Sequence, residues 1–196
     1  MVKIAKRIIL TITVILLSYE LGLAGEPSYK GKTVDQWIEE LKKETAQNRV
    51  IPFGATSALE KMGPAAEAAI PALIEALENE KITTSERGDA AFALGGIGKA
   101  AVPSLIETLK RGDKIARAWA AYALNRIGPD AKSAVSALVG ALGDEWWSAR
   151  ENAAIALGRI GPDAKSAVSA LEEALKDENE RVRETANFSL EMIQRR

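Results

Sequence analysis

A sixteen-residue segment occurs twice, 33 residues apart, and this repeat constrains the fold more than any other feature of the chain. Residues 128–143 read GPDAKSAVSALVGALG, and residues 161–176 read GPDAKSAVSALEEALK. Looser copies share an Ile-Gly or Met-Gly pair, which occurs at Met62-Gly63, Ile97-Gly98, Ile127-Gly128 and Ile160-Gly161. A period near 33 residues is typical of stacked copies of one supersecondary unit, since a single unit cannot bury its apolar face alone.

Each copy predicts two amphipathic helices, because apolar residues recur at steps of three and four on both sides of the glycine. The first helices are predicted near 49–62, 84–97, 114–127 and 146–160. The second helices are predicted near 67–78, 100–111, 132–143 and 165–176. A leading helix near 33–45 and a last helix near 178–194 close the ends. Nothing alternates with a period of two, so we expect no strands and an all-α solenoid (an α-α superhelix) of about four helix pairs plus capping helices.

Small and large apolar residues occupy fixed columns. The first helices have an alanine column of Ala90, Ala120, Ala153 and Ala186, and a leucine column of Leu59, Leu94, Leu124, Leu157 and Leu190. The second helices have a leucine column of Leu77, Leu109, Leu142 and Leu175. Alanine allows close approach of neighbouring helices, and leucine fills the grooves between them. Glycine after each first helix predicts a left-handed cap, and the glycine-rich run at 95–98 is explained by the same helix end.

Two absences exclude most catalytic chemistry. The chain has no His and no Cys, so zinc sites built on thiolate or imidazole, His-dependent triads, Cys nucleophiles and disulfides are excluded. A net charge of -1 provides no positive surface for nucleic acid. We therefore expect no catalytic residues, no metal and no cofactor.

The amino terminus predicts an export signal over residues 1–24. Lys3, Lys6 and Arg7 precede an apolar run from Ile8, and Gly22-Leu23-Ala24 places small residues before a cleavage site. The apolar stretch of about 12 residues is short for a membrane span, which needs roughly 20. An uncleaved membrane anchor and a buried amphipathic helix remain alternatives. Residues 25–32 are predicted to be a linker and residues 33–196 the repeat domain, in an exported protein, periplasmic or secreted.

The columns resemble the HEAT-repeat family, and specifically its short PBS-lyase-like repeats. The pattern Arg-x-x-Ala-Ala-x-Ala-Leu-x-x-Ile-Gly appears at 117–128 and 150–161, with looser copies at 87–98 and from Arg183. The resemblance implies a general-purpose scaffold of armadillo type. It also points to bilin lyases, which attach chromophores to cysteines of phycobiliproteins. Metal-dependent hydroxylases with HEAT repeats are excluded, because their ligand pairs need His.

The resemblance also implies a ladder in which an Asp before each first helix bonds an Arg within that helix. Asp144 with Arg150, and Asp177 with Arg183, have the usual six-residue spacing, whereas Asp113 with Arg117 is shortened to four. Lys81 replaces the Asp before Arg87, and Pro52 replaces the Arg of the first unit. The ladder is therefore expected in the carboxy-terminal half and is in doubt in the amino-terminal half. A loop of variable length is the alternative.

The tryptophans are candidate partner contacts. Trp146 and Trp147 occupy positions that are polar in the other copies, and adjacent helical residues point about 100° apart, so both are not expected in one core. An exposed Trp is a strong anchor for a protein partner. The alternative is a staple, with one ring packed on the preceding helix and the other flat on the surface. Trp119 is also expected to face the surface, and Trp37 is expected in the core.

Carboxylates form a second candidate surface. Glu75, Glu107 and Glu173 share a column of the second helices, which by the resemblance line the concave face. They predict a mildly acidic ridge, although an ordinary solvated face explains them equally well.

Together these features predict an exported, non-catalytic scaffold for an unidentified protein partner, with no nucleic acid and no metal. The alternatives are a bilin-lyase-like enzyme and a membrane-tethered assembly factor, the latter only if the amino-terminal segment is not cleaved.

Overall fold

The computed structural model describes residues 26–46 and 53–194, and the predicted export signal at 1–24 lies outside them. The helices in chain order are α1 (Val34–Ala46), α2 (Phe53–Met62), α3 (Ile70–Glu78), α4 (Thr84–Ile97), α5 (Val102–Arg111), α6 (Lys114–Ile127), α7 (Val135–Ala141), α8 (Trp147–Ile160), α9 (Val168–Ala174) and α10 (Glu180–Gln194). Helices α2, α4, α6, α8 and α10 form a first layer, and α3, α5, α7 and α9 form a second layer packed against it. The predicted all-α solenoid is confirmed.

The second helices begin later than predicted, because each is preceded by 3-10 turns. These turns span Gly63–Ala69, Lys99–Ala101, Gly128–Ala134 and Gly161–Ala167. The predicted segments 132–143 and 165–176 also extend past the ends of α7 and α9. There the backbone closes into a turn, in which the Gly143 amide donates to the Gly140 carbonyl at 3.1 Å.

Glycine ends the first-layer helices in a conformation that other residues rarely adopt. Gly98, Gly128 and Gly161 combine φ of 86°, 68° and 73° with ψ of -142°, -133° and -137°. These values lie in the mirror image of the β region, which glycine populates because it has no Cβ. The predicted left-handed α cap is therefore wrong in detail: φ is positive, but ψ sends the chain sharply into the next 3-10 turn.

The predicted core columns are buried. The alanine column is fully buried, as are Leu59, Leu94, Leu124 and Leu157. In the second layer Leu77, Leu109 and Leu142 are buried, whereas Leu175 near the carboxy-terminal end of the stack is 38% exposed. One continuous core therefore runs through the repeats, as expected when each unit hides its apolar side against the next.

The stack curves toward the first layer. Successive first-layer helices pack along much of their length, whereas successive second-layer helices touch at few points. A stack that is crowded on one side and spread on the other bends toward the crowded side. The first layer therefore lines the concave face. The expectation that the second helices lie there is wrong, because the alanines and glycines of the first helices permit the closer approach.

The predicted linker contains a β-hairpin, which the expectation of no strands missed. Strands β1 (Ser28–Tyr29) and β2 (Lys32–Thr33) pair antiparallel, and both turn residues have positive φ, 50° at Lys30 and 77° at Gly31. Two positive φ values define the tight turn whose twist matches a hairpin. The buried Trp37 ring donates from Nε1 to the Tyr29 carbonyl at 3.2 Å, so the hairpin is fixed to α1.

In the described part of the chain, no one helix has both the length and the apolar content needed to cross a membrane. The segments Thr84–Ile97 and Lys99–Arg111 meet the composition test only as a pair, bent by 119° at their junction.

Candidate functional site

Each of the last four first-layer helices presents one apolar side chain at its middle, on the side away from the second layer. Phe92, Tyr122 and Ile155 are partly exposed, each between two buried residues on either side, and Phe188 is 58% exposed. In α4, α6 and α8 the other sides of the helix pack on neighbouring elements, so Phe92, Tyr122 and Ile155 face the concave surface. Phe188 occupies the equivalent position of the last helix, α10. Together with Trp119 they form the concave ridge, defined as Phe92, Trp119, Tyr122, Ile155 and Phe188.

Three aromatic rings of the concave ridge are in mutual contact. The Phe92 and Tyr122 centroids lie 5.0 Å apart, and the Trp119 and Tyr122 rings meet edge to face at 5.4 Å. Trp119 is only partly exposed, because its ring lies on the α4 backbone at Gly88, where a Cβ would be 2.7 Å from its Cζ2 atom. Contacts of this kind hold aromatic side chains in fixed positions.

A cavity of about 290 Å³ lies at the amino-terminal end of the concave ridge. Its lining residues come from α2, α4 and α6: Thr56, Ser57, Glu60, Asp89, Phe92 and Arg126. The guanidinium of Arg126 donates to Glu60 Oε1 at 2.5 Å and lies 4.8 Å from the Phe92 ring centroid. The ion pair passes over α4, from α6 to α2.

Two glycines make room for this ion pair. A Cβ at Gly95 would lie 2.8 Å from Cβ of Arg126, and one at Gly96 would lie 2.7 Å from Cγ of Glu60. Both glycines lie inside α4, so the explanation of residues 95–98 by a helix end alone is wrong. They leave a shallow passage across the helix for two charged side chains.

Asp89 is the carboxylate of this cavity that no basic side chain neutralises. Within residues 26–46 and 53–194 it has no hydrogen bond and no ion pair, and it is partly buried on α4. Burial raises the pKa of Asp89, and the charge of Glu86 one turn earlier raises it further. Glu86 is itself buried and accepts from the Thr83 amide at 2.7 Å in a capping box.

An Arg–Asp ladder connects the repeats, with a pairing that differs from the predicted one. The three rungs are Arg87–Asp113, Arg117–Asp144 and Arg150–Asp177. Arg117 and Arg150 are bidentate; in Arg150, Nε and Nη2 donate to the two carboxylate oxygens at 2.7 and 2.8 Å. In Arg87, Nη2 alone contacts both carboxylate oxygens of Asp113, and Nε donates to the Leu77 carbonyl at 2.7 Å. The carboxylate therefore belongs to the following repeat and not to the repeat of the Arg.

Within a repeat, the arginine binds backbone instead. Arg150 Nη1 donates to the Asp144 carbonyl at 2.9 Å, and Arg183 Nη1 donates to the Asp177 carbonyl at 2.7 Å. The predicted side-chain pairs Asp144–Arg150 and Asp177–Arg183 are therefore wrong, and so is Asp113–Arg117. Arg87 takes part in a rung although no Asp precedes it in its own repeat, so the doubt about the amino-terminal half does not extend to this residue. Pro52 lies outside the described residues.

The ladder aspartates are held in their charged form. For Asp177, the Arg150 guanidinium lowers the pKa against the opposing effect of burial, and the Asn179 amide adds a hydrogen bond. For Asp144, burial alone would raise the pKa, but Arg117 and the Trp146 amide outweigh it and the pKa is lowered. We interpret the ladder as structural, because each Arg and Asp charge is paired with another residue of the stack.

The remaining predicted contact residues are not part of the concave ridge. Trp146 is half-buried at the cap of α8, and its amide donates to Asp144 Oδ1 at 2.9 Å. Trp147 packs against the core, and the Arg181 guanidinium covers its ring at 5.3 Å. Glu75, Glu107 and Glu173 are exposed on the second layer, where Glu173 pairs with Lys176 at 2.9 Å. No group of three or more acidic side chains in the part that the structure describes is arranged to hold a metal ion.

Sequence reasoning did not single out Phe92, Tyr122, Ile155 or Phe188. Each stands among alanines and leucines, as in AAYAL, and therefore resembles a core residue. These residues share one column of the repeat, and this was the signal that could have found them: Phe92, Tyr122 and Ile155 each lie six residues before a closing glycine, and Phe188 lies 33 residues after Ile155.

Comparisons with known families match most of the repeat region. Residues 104–191 match the family described as HEAT repeats, and residues 52–79 and 86–111 match the PBS lyase HEAT-like repeat. Among curated proteins, no match was found.

Solved structures of similar fold are also known. The complex of CpcE and CpcF of phycocyanin lyase from Nostoc sp. PCC7120 contains a chain that is 29% identical, with a TM-score of 0.63 over 86% of this chain and 68% of that one. A designed armadillo repeat protein in complex with the peptide (KR)4 shares 17% identity, with a TM-score of 0.59 over 82% of both chains. An engineered protein shares 24% identity and a TM-score of 0.56, over 82% of this chain and 79% of that one. The last two likenesses concern the fold alone.

Proposed function

The chain belongs to the HEAT-repeat family, with repeats of the PBS-lyase-like kind, and from this we propose that it is an exported, non-catalytic scaffold that binds a protein partner on its concave face. The observation that supports this most directly is the concave ridge. Four of its side chains, Phe92, Tyr122, Ile155 and Phe188, occupy one equivalent position in successive repeats and remain at least partly exposed, although the leucines of the first-layer column are buried.

The chemistry of the ridge fits a protein surface as partner. Aromatic side chains are enriched among the residues that dominate binding energy, because they bring a large contact area at a low cost in conformational entropy. Phe92, Trp119 and Tyr122 already hold one another in place, so little ordering is needed on binding. Phe188 extends the same row to the carboxy-terminal repeat.

Export is supported by the basic start and apolar run of residues 1–24. The mass of the protein recovered from the native host tests it. Loss of these residues supports export and excludes the membrane-tethered assembly factor, whereas an intact amino terminus found in the membrane fraction favours the tether.

Affinity capture from the exported fraction, followed by mass spectrometry, tests the scaffold. We expect one protein to be enriched by the wild-type chain and to be lost with the double variant Tyr122→Ala and Phe188→Ala. The double variant Trp146→Ala and Trp147→Ala tests the other aromatic surface, and Glu107→Ala with Glu173→Ala tests the acidic surface. Undiminished capture by the Tyr122 and Phe188 variant would show that the concave ridge is not the binding surface.

A second candidate is a subunit of a chromophore lyase. It rests on the 29% identity to a chain of the phycocyanin lyase complex and on the PBS-lyase-like repeats. Since the chain has no Cys or His, it would contribute a binding surface and no thiol or imidazole nucleophile. Titration with a bilin tests it: a saturable change in bilin absorbance favours the lyase subunit, and an unchanged spectrum favours the scaffold.

A further inference from the structure

The lining of the cavity at the amino-terminal end of the concave ridge has one more negative charge than positive charge. Its lining contains two carboxylates, Glu60 and Asp89, and one guanidinium, Arg126. Arg126 pairs with Glu60 at 2.5 Å, which leaves Asp89 without a positive partner among the described residues. The buried carboxylate of Glu86 lies one turn behind it on the same helix.

The other walls suit a flat cation. Phe92 presents an aromatic ring, and Thr56 and Ser57 line the side contributed by α2. Arg126 demonstrates the geometry within the molecule, since its guanidinium lies 4.8 Å from the Phe92 centroid while it donates to a carboxylate. Guanidinium groups favour this combination of a stacked face and a carboxylate at the edge.

We propose that this cavity receives an arginine side chain of the protein partner, with Asp89 as its carboxylate and Phe92 as its apolar wall. This inference rests on the proposed function, because it assigns one contact within the same concave surface. A guanidinium bound there would balance the charge of the lining residues and give Asp89 a donor in a partly buried position, where charge-assisted hydrogen bonds are strong.

Other occupants fit the lining less well. An anion would meet two carboxylates and a guanidinium that is already paired. A lysine ammonium would satisfy the charge of Asp89, but it offers no planar face for the Phe92 wall. Arginine is therefore expected to bind better than lysine, and a neutral side chain of the same shape is expected to bind poorly.

Three short peptides test the assignment on the full, 15N-labelled chain: acetyl-Gly-Arg-Gly-amide, its lysine analogue and its citrulline analogue. Citrulline keeps the shape of arginine without the charge. We expect the arginine peptide to shift the amide signals of Asp89 and Phe92 with a Kd on the order of 1 mM. The lysine peptide should bind more weakly, and the citrulline peptide at least about tenfold more weakly.

Asp89→Asn is the matching variant. It removes a carboxylate whose charged form is disfavoured by burial, so it should unfold at the wild-type temperature or above, and lost binding would not reflect unfolding. It should weaken binding of the arginine peptide by at least about tenfold, whereas Glu173→Gln on the second layer should leave it unchanged. Equal binding of arginine and citrulline, or equal binding by wild type and Asp89→Asn, overturns the assignment.

Partner capture separates this inference from the proposed function. Capture that survives Asp89→Asn but is lost in the Tyr122→Ala and Phe188→Ala variant overturns the arginine site alone. Capture that survives both overturns the proposed function, and loss in both supports the two together.

Discussion

Single guanidinium groups hold adjacent repeats together at the ladder. Arg150 reaches the carbonyl of Asp144 in its own repeat and both carboxylate oxygens of Asp177 in the next. Its side chain is 9% exposed and that of Asp177 is 10% exposed. Burying an ion pair this completely costs desolvation energy. Substituting only one of its two residues is destabilising, because the other charge then remains buried without a partner. The rung therefore fixes the position of one repeat on the next.

Arg150→Met tests this rung. We expect it to lower the free energy of unfolding by about 2–4 kcal/mol, measured by urea denaturation at pH 7. The reason is that Asp177 stays charged but loses both hydrogen bonds from the Arg150 guanidinium. Lys176→Met is the control: its pair with Glu173 has side chains 73% and 76% exposed, so the change should stay within about 0.5 kcal/mol.

The cost of Arg150→Met should also depend on pH. The pKa of Asp177 is lowered in the folded chain, so its stabilising effect is complete above the ordinary value of 3.8 and is lost as the pH falls through the lower folded value. The difference between wild type and variant should therefore narrow below pH 3.8. A difference that is constant down to acid unfolding would mean that the Arg150 charge contributes little.

At the scale of the helix, the distance between neighbouring first-layer helices is set by glycine and alanine. Gly158 on α8 faces α10, where a Cβ would lie 2.7 Å from Ser189 Oγ and 3.0 Å from Ser189 Cα. Ser189 Oγ in turn donates to the Ala154 carbonyl at 2.7 Å, so the last helix is held on backbone atoms of the one before it. Helices approach this closely only where side chains are absent or small.

Gly158→Ala should separate these two helices. We expect a loss of about 1–3 kcal/mol in the free energy of unfolding, since the new methyl group overlaps backbone as well as side chain. Gly140→Ala is the matched control, because it lies within α7 with nothing within 4 Å of the added atom. It should stabilise the protein by about 0.5–1 kcal/mol, through the entropy of the unfolded chain. Equal effects of the two substitutions would contradict the packing between α8 and α10.

The helices and their buried columns could be predicted from the sequence, because the periodicity of apolar residues is a local signal. Leu124 and Ala120, for example, were predicted in the core and are fully buried. The ladder pairing could not be predicted, since an Asp six residues before Arg150 and one 27 residues after it are both plausible partners until the repeats are stacked. Tyr122 was missed for a related reason: in a run of alanines, its exposure depends on which side of the helix the neighbouring repeats leave open.

For the whole molecule, two unequal layers decide which surface is available. Closely packed first-layer helices bend the stack toward themselves, and each of the last four places an apolar side chain at the same position of the inner face. The spread second layer presents solvated carboxylates such as Glu107. Since each repeat contacts mainly its neighbours, the inner surface can adjust its curvature to a partner without opening the core.

Site-specific photo-crosslinking compares the two layers directly. Phe188 and Leu175 are both large, exposed and near the same end of the stack, but Phe188 lies on the concave face and Leu175 in the second layer. Benzoyl-phenylalanine is placed at one or the other position, and the captured partner complex is irradiated. We expect the partner to be crosslinked through position 188 and not through position 175. Crosslinking through 175 alone would contradict the concave face as the binding surface.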